Sequence, residues 1–155
     1  MRAYADTNFF TAAHTTLERT AVALELMGEL RSTQSAPLPV TALLKIEFTN
    51  ALQRCVFVSR EGNQPLRITP EQVLLAEEAF IEELRAGTAC RESPLALESL
   101  ESTFEILAHR HTAKYGFRTY DILHVASALV LGCDTFWTFD LKARHLAKLE
   151  GFATN

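Results

Sequence analysis

At 155 residues, 48% apolar and 22% charged, the chain has the makeup of one ordinary globular domain with a single core. Its net charge of −4 argues against a general nucleic-acid coat protein. It leaves a nuclease open, because an acidic cluster that holds cations reverses its own local sign.

Three widely spaced cysteines, Cys55, Cys90 and Cys133, match no metal-ligand spacing, and their odd number argues against a disulfide framework. They point to a reducing, cytoplasmic setting. No basic-then-apolar leader precedes Ala3, and the apolar run near Val125 to Leu131 is far too short to span a bilayer.

In chain order, Arg2 to Ala5 reads as a short strand running into Asp6-Thr7-Asn8, a turn whose side chains suit the cap of the next helix. Helical spacing of Leu17, Ala21, Leu24 and Met27 places that helix over Thr16 to Leu30. Ser32 to Pro39 reads as a loop and Leu38 to Thr41 as a second strand. A second helix spans Ala42 to Ser59, with Glu47 set inside its broad apolar face. A long acid in such a face needs a partner, either a structural Arg or Lys or something functional. Glu61 to Leu66 is a turn. Thr69-Pro70-Glu71-Gln72 carries an N-cap, a proline at the first helical position and a capping box, opening a helix that stops at Gly87. The acids Glu77, Glu78, Glu82 and Glu83 form its solvated face.

Thr88 to Arg91 is a brief extended piece, and Ser93-Pro94 opens a helical region reaching Tyr115 and ended by Gly116. With Thr119 as N-cap, the next helix has Asp121 in its first turn, is apolar on most sides and closes at Gly132. The strand Thr135 to Phe139 stops on Asp140. A short helix, Leu141 to Glu150, and an edge strand at Gly151-Phe152 complete the chain. Short apolar strands alternating with helices predict an α/β fold with a parallel sheet and helices on both faces.

Asp6, Glu47, Asp121 and Asp140 each sit at a strand end, at a helix start or in an apolar face. Parallel strands leave a sheet at one edge, so Asp6 and Asp140 emerge together, and the helix carrying Asp121 can be held beside them. Carboxylates sharing a pocket raise one another's pKa unless cations neutralise them, and Mg²⁺ or Mn²⁺ prefer such oxygen ligands. Such ions activate water for attack on a phosphodiester. Asn8 and Thr138 are able to orient metal-bound water, or equally to cap backbone. Asp134 starts a strand and stays outside the site. A phosphotransfer domain with Asp6 as nucleophile is disfavoured, because Asp-Thr-Asn lacks a second acid two residues on.

YADTNFF, LLKIEFTNAL, RTYDILHVASAL and FWTFDLKARHLAKLEGF, taken in this order, resemble the PIN-domain family, and more closely its VapC-type ribonuclease toxins. The resemblance implies a single domain over residues 1–155 with a three-layer α/β/α sandwich around a short central parallel sheet. It implies a Mg²⁺- or Mn²⁺-dependent endoribonuclease holding one or two ions, with Asp6, Glu47, Asp121 and Asp140 as the successive metal-binding acids. It further implies an RNA substrate, a cognate antitoxin whose tail crosses the acidic pocket, and a homodimer away from membranes. A PIN-like module that binds RNA or protein without cleaving is the alternative.

The sequence departs from that pattern at His124, one turn after Asp121, where the family often has another acid. His124 suits a phosphate or a metal-bound water, or a hydrogen bond to backbone at the core edge. Arg118, three before Asp121, suits a carboxylate or a substrate phosphate. Arg110, His111, Lys114, Arg118, Lys142, Arg144, His145 and Lys148 crowd the second half, either guiding an RNA backbone or scattered over helix faces.

Overall fold

The computed structural model describes residues 1–33, 35–62 and 67–155. Strand β1, Ala3–Ala5, runs directly into helix α1, Thr7–His14, because Asp6 leaves the strand extended and its carboxylate caps the helix through the Phe9 N–H. The chain breaks before helix α2, Thr20–Ser32. Thr20 accepts from the Leu17 N–H and donates to the Thr15 carbonyl, closing a local turn. The helix expected over Thr16 to Leu30 therefore starts later, at Thr20, and a further helix, α1, starts directly after Asp6. Strand β2, Leu38–Val40, leads through the N-cap Thr41 into helix α3, Ala42–Arg60. The turn expected over Glu61 to Leu66 lies in part outside the described residues.

Helix α4, Pro70–Ala86, has the capping box read from its sequence, with Thr69 and Gln72 bonded reciprocally. It ends where Gly87 adopts φ +65°, a left-handed conformation that favours glycine. Thr69→Ala removes the N-cap acceptor and is expected to cost about 1 kcal/mol in urea denaturation. Strand β3, Cys90–Glu92, follows. Helix α5, Leu97–Leu107, begins later than Ser93-Pro94 suggests, because the Ser93 N–H still bonds to the Val40 carbonyl and extends the strand edge. A π-helical turn, Ala108–Thr112, and the short helix α6, Ala113–Tyr115, complete that region.

Helix α7, Thr119–Val130, starts one residue earlier in cap terms than expected. Arg118, not Thr119, is the extended N-cap, and its backbone N–H donates to the Asp121 carboxylate at 3.0 Å. Strand β4, Thr135–Trp137, is shorter than the expected run to Phe139, because the Thr138 N–H turns away to the Asn155 side chain. Helix α8, Leu141–Leu149, and strand β5, Ala153–Thr154, close the chain.

All pairings among the described residues are parallel. Strand β4 lies between β1 and β5, while β2 pairs with β3 in a second ladder. Among the described residues the two ladders are not hydrogen-bonded to each other, but β2 packs beside β1, so one short layer results instead of one continuous sheet. Helices α1 to α4 pack together, as do α5, α7 and α8. The core between them is aromatic: Tyr4 stacks on Phe136 across the ladder at 5.6 Å, and Phe9 meets Trp137 at 5.2 Å. None of the described helices is long and apolar enough to cross a membrane.

Candidate active site

The strands' shared direction decides where the acids go. Strand β1 ends at Asp6 and β4 is followed by Asp140, and each caps the helix that leaves the sheet. Helix α7 begins beside that edge with Asp121 in its first turn, and α3 brings Glu47 from across. Asp6, Glu47, Asp121 and Asp140 consequently line one cavity of about 210 Å³, with Asn8, Arg118 and His124. Helix N-termini at Asp6, Asp121 and Asp140 add positive potential around the carboxylates.

Each acid has its own partners. Asp6 is 4% exposed and accepts from Thr138 Oγ1 at 2.5 Å and from the Phe9 N–H at 3.0 Å. Burial outweighs those bonds and pushes its carboxyl up to about 6. Thr138 accepts in turn from the Asp140 N–H at 2.9 Å, tying the first and last acids of the pocket together. Asp140 accepts from the Lys142 and Ala143 N–H groups at 2.7 and 3.1 Å. Burial pushes its carboxyl up, but these N–H groups and Arg118 outweigh burial and hold it below the usual range.

Arg118 lies between two acids. Its Nη2 is 2.7 Å from Asp140 and 3.4 Å from Asp121, and its Nε is 3.3 Å from Asp121. Of the two roles open to it in the sequence, carboxylate pairing is the one present. Thr138 serves as both an acid's partner and a backbone cap, while Asn8 lines the cavity rim.

Glu47 finds neither the Arg nor the Lys that its position suggested. His124 Nε2 lies 2.5 Å from its Oε2, and Thr7 Oγ1 donates to the same oxygen at 2.5 Å. Burial pushes the Glu47 carboxyl up, and the bonds from His124 and Thr7 more than reverse it, so it lies below the usual range. His124 is held by side chains, not backbone: its Nδ1 is 2.8 Å from the Tyr4 phenol. Complete burial pushes the Tyr4 phenol up. His124 thus joins the Tyr4 phenol to the Glu47 carboxylate through its two ring nitrogens. Tyr4 and Thr7 flank Asp6 in sequence, which is the signal that could have singled them out.

A sequence model of the PIN domain matches residues 3–149. The chain belongs to the PIN domain family. Two solved structures share this PIN domain's fold. One is the VapC20 toxin of Mycobacterium tuberculosis, described as a Sarcin-Ricin loop cleaving toxin, with 18% identity, TM-score 0.63 and coverage of 97% of this chain and 96% of that one. The other is VapBC2 of Rickettsia felis, bound to a DNA fragment from their promoter, with 11% identity, TM-score 0.66 and coverage of 100% and 98%. No curated protein sequence matches the chain.

The PIN domain's pocket offers hard oxygen donors suited to a divalent cation, and buried Asp6 is an anion in want of a counter-charge. Among the described residues, however, no group of three or more His, Cys, Asp or Glu side chains converges as a preformed metal shell. The carboxylates instead hold Arg118, His124 and Thr138, with the Arg118 guanidinium supplying positive charge between Asp121 and Asp140. The donor chemistry fits a divalent cation, and Arg118 is the group that bridges Asp121 and Asp140. Of the basic residues crowding the second half, only Arg118 lines the pocket. Arg110 and His111 pair with Glu150, Lys142 donates to the Gly116 carbonyl and Arg144 to that of Thr138. Asp134 accepts from the Arg2 N–H, away from the pocket.

Proposed function

We propose that this single PIN domain is a metal-dependent endoribonuclease, the toxin of a type II toxin–antitoxin pair. The observation that carries this reading is the meeting of Asp6, Glu47, Asp121 and Asp140, from separate elements, in one cavity. A Mg²⁺ or Mn²⁺ ion held by these acids would supply charge neutralisation and an acidified water for phosphodiester hydrolysis. In that hydrolysis the water oxygen bonds to phosphorus, the bond from phosphorus to the departing nucleotide's oxygen breaks, and that oxygen takes up a proton.

The chain's own groups prepare this step. Thr138 fixes the Asp6 carboxylate, and His124 and Thr7 both hold Oε2 of Glu47, leaving its Oε1 free of these bonds. Arg118, once displaced from Asp121 and Asp140, is placed to meet a substrate phosphate. The partners of this reading are RNA, an antitoxin protein and a second copy of the chain, in the cytoplasm. RNA cleavage that requires Mg²⁺ or Mn²⁺ and stops in EDTA is the expected result; equal cleavage in EDTA would refute it.

The Arg118 bridge favours a second reading, in which the domain binds RNA or protein but holds no metal. Calorimetry with Mn²⁺ separates the two, since only the nuclease binds the ion. In that titration Arg118→Ala is expected to tighten Mn²⁺ binding about twofold to fivefold, the worth of an exposed ion pair removed from competition. Weaker binding by this variant would show that Arg118 supports the ion instead of competing with it.

A further inference from the structure

A second cavity, of about 800 Å³, opens off the acidic pocket between α1 and α3. It shares Asn8, Glu47, Arg118 and Tyr120 with the pocket, so the two are continuous. Beyond Glu47, no residue lining this groove carries a carboxylate. That is unusual ground in a chain of net charge −4. Along α3 the groove is marked at helical spacing by Glu47, Asn50 and Arg54, so Arg54 stands about 10 Å beyond Glu47. Arg54 is exposed and has no ion-pair or hydrogen-bond partner among the described residues. Tyr120 is 48% exposed and Ile46 is 68% exposed, giving the groove mouth two surfaces for an unstacked base.

From these features we infer that the groove between α1 and α3 is the track for one flank of a single-stranded RNA. Arg54 holds a phosphate neighbouring the one at the acids, and Tyr120 stacks on a base between them. A cation-ended groove with no carboxylate beyond Glu47, continuous with the acidic pocket, suits a polyanion that must cross both. Apolar faces beside it suit bases that are free of a duplex. The inference rests on the nuclease reading and adds to it the position of Arg54 as a positioning residue, which touches the strand away from the cut.

Fluorescence anisotropy with Ca²⁺ in place of Mg²⁺ tests it, using a mixed-sequence single-stranded RNA long enough to span the groove and, as competitor, a dinucleotide too short to reach Arg54. Arg54→Ala is expected to weaken binding of the long strand about threefold to tenfold and to make its salt dependence shallower by about 0.7 in log–log slope, the share of one phosphate contact. Binding of the dinucleotide stays as in wild type, Arg54→Lys restores most of the loss, and Tyr120→Ala weakens the long strand without changing the slope. Unchanged affinity and slope in Arg54→Ala would overturn the inference, including the case in which that variant only releases a protein partner. RNA that binds in this Arg54-dependent way but is never cut with Mg²⁺ would instead overturn the nuclease reading and leave the track standing.

Discussion

Asp6→Asn is expected to lower RNA cleavage by about a hundredfold to a thousandfold while leaving the fold more stable above neutral pH. The loss of activity follows from removing one charge that the reaction's cation needs, a cost of the size seen for a single electrostatic group in a preorganised site. The gain in stability follows from burial. Asp6 is 4% exposed, and its carboxyl is pushed up to about 6, above its value in the unfolded chain. Between those two values the folded state binds the extra proton, so stability attributable to this group falls as pH rises from about 4 through about 6. The whole effect is on the order of 3 kcal/mol.

Urea denaturation in EDTA reads it as a difference between wild type and Asp6→Asn. The gap should be small at pH 4 and favour the variant at pH 8. Glu47 and Asp140, held below the usual range, act in the opposite direction, gaining stability as they ionise, but they are common to both proteins. A wild type more stable than the variant at pH 8 without metal would contradict the account of Asp6.

Phe48→Ala is expected to destabilise the protein by about 3–5 kcal/mol. Phe48 is 2% exposed and sits one residue beyond Glu47 on α3. Its ring lies 4.5 Å from that of Phe80 and 5.6 Å from that of His14, joining α3 to α4 and α1. Truncation leaves a cavity where those helices meet, and at this chain length it should lower the melting temperature by about 10 °C. Because α3 carries Glu47 toward the pocket, the same variant should also bind Mn²⁺ less tightly at temperatures where it is still folded. A melting temperature within about 2 °C of wild type would show that this aromatic contact does not hold α3 in place.

These two positions also show how far the sequence could be read. Asp6 and Asp140 follow strands, and parallel strands point the same way, so their meeting could be argued from local patterns. The capping box at Thr69 and the helix stop at Gly87 are likewise local chemistry that spans a single turn. Asp121 lies in the expected first turn, but the cap residue is Arg118 and not Thr119, because the Asp121 carboxylate reaches back to the Arg118 N–H. The partners of the pocket are another matter. Tyr4 and His124 are 120 positions apart, and Glu47 and His124 are 77 apart. Nothing in a helical or strand period specifies which distant side chain will reach a given acid.

The same limit explains the two ladders. Strands of only three residues carry too little pattern to show whether neighbours pair through backbone or pack through side chains. It also explains the break between α1 and α2, which depends on a hydroxyl at Thr20 and not on any loss of apolar spacing. Of the basic residues in the second half, Arg110 and His111 are engaged with Glu150 and Lys142 and Arg144 with backbone carbonyls, while the groove off the acidic pocket has Arg54 of α3 and Arg118 as its cations.

Anomalous diffraction from crystals soaked in Mn²⁺ asks the central question directly: whether acids far apart in the chain share one divalent ion. The account predicts a manganese peak within reach of Asp6, Asp121 and Asp140, with Arg118 swung away from both of its present partners. Crystals that take up manganese only elsewhere, with Arg118 still bridging Asp121 and Asp140, would contradict it.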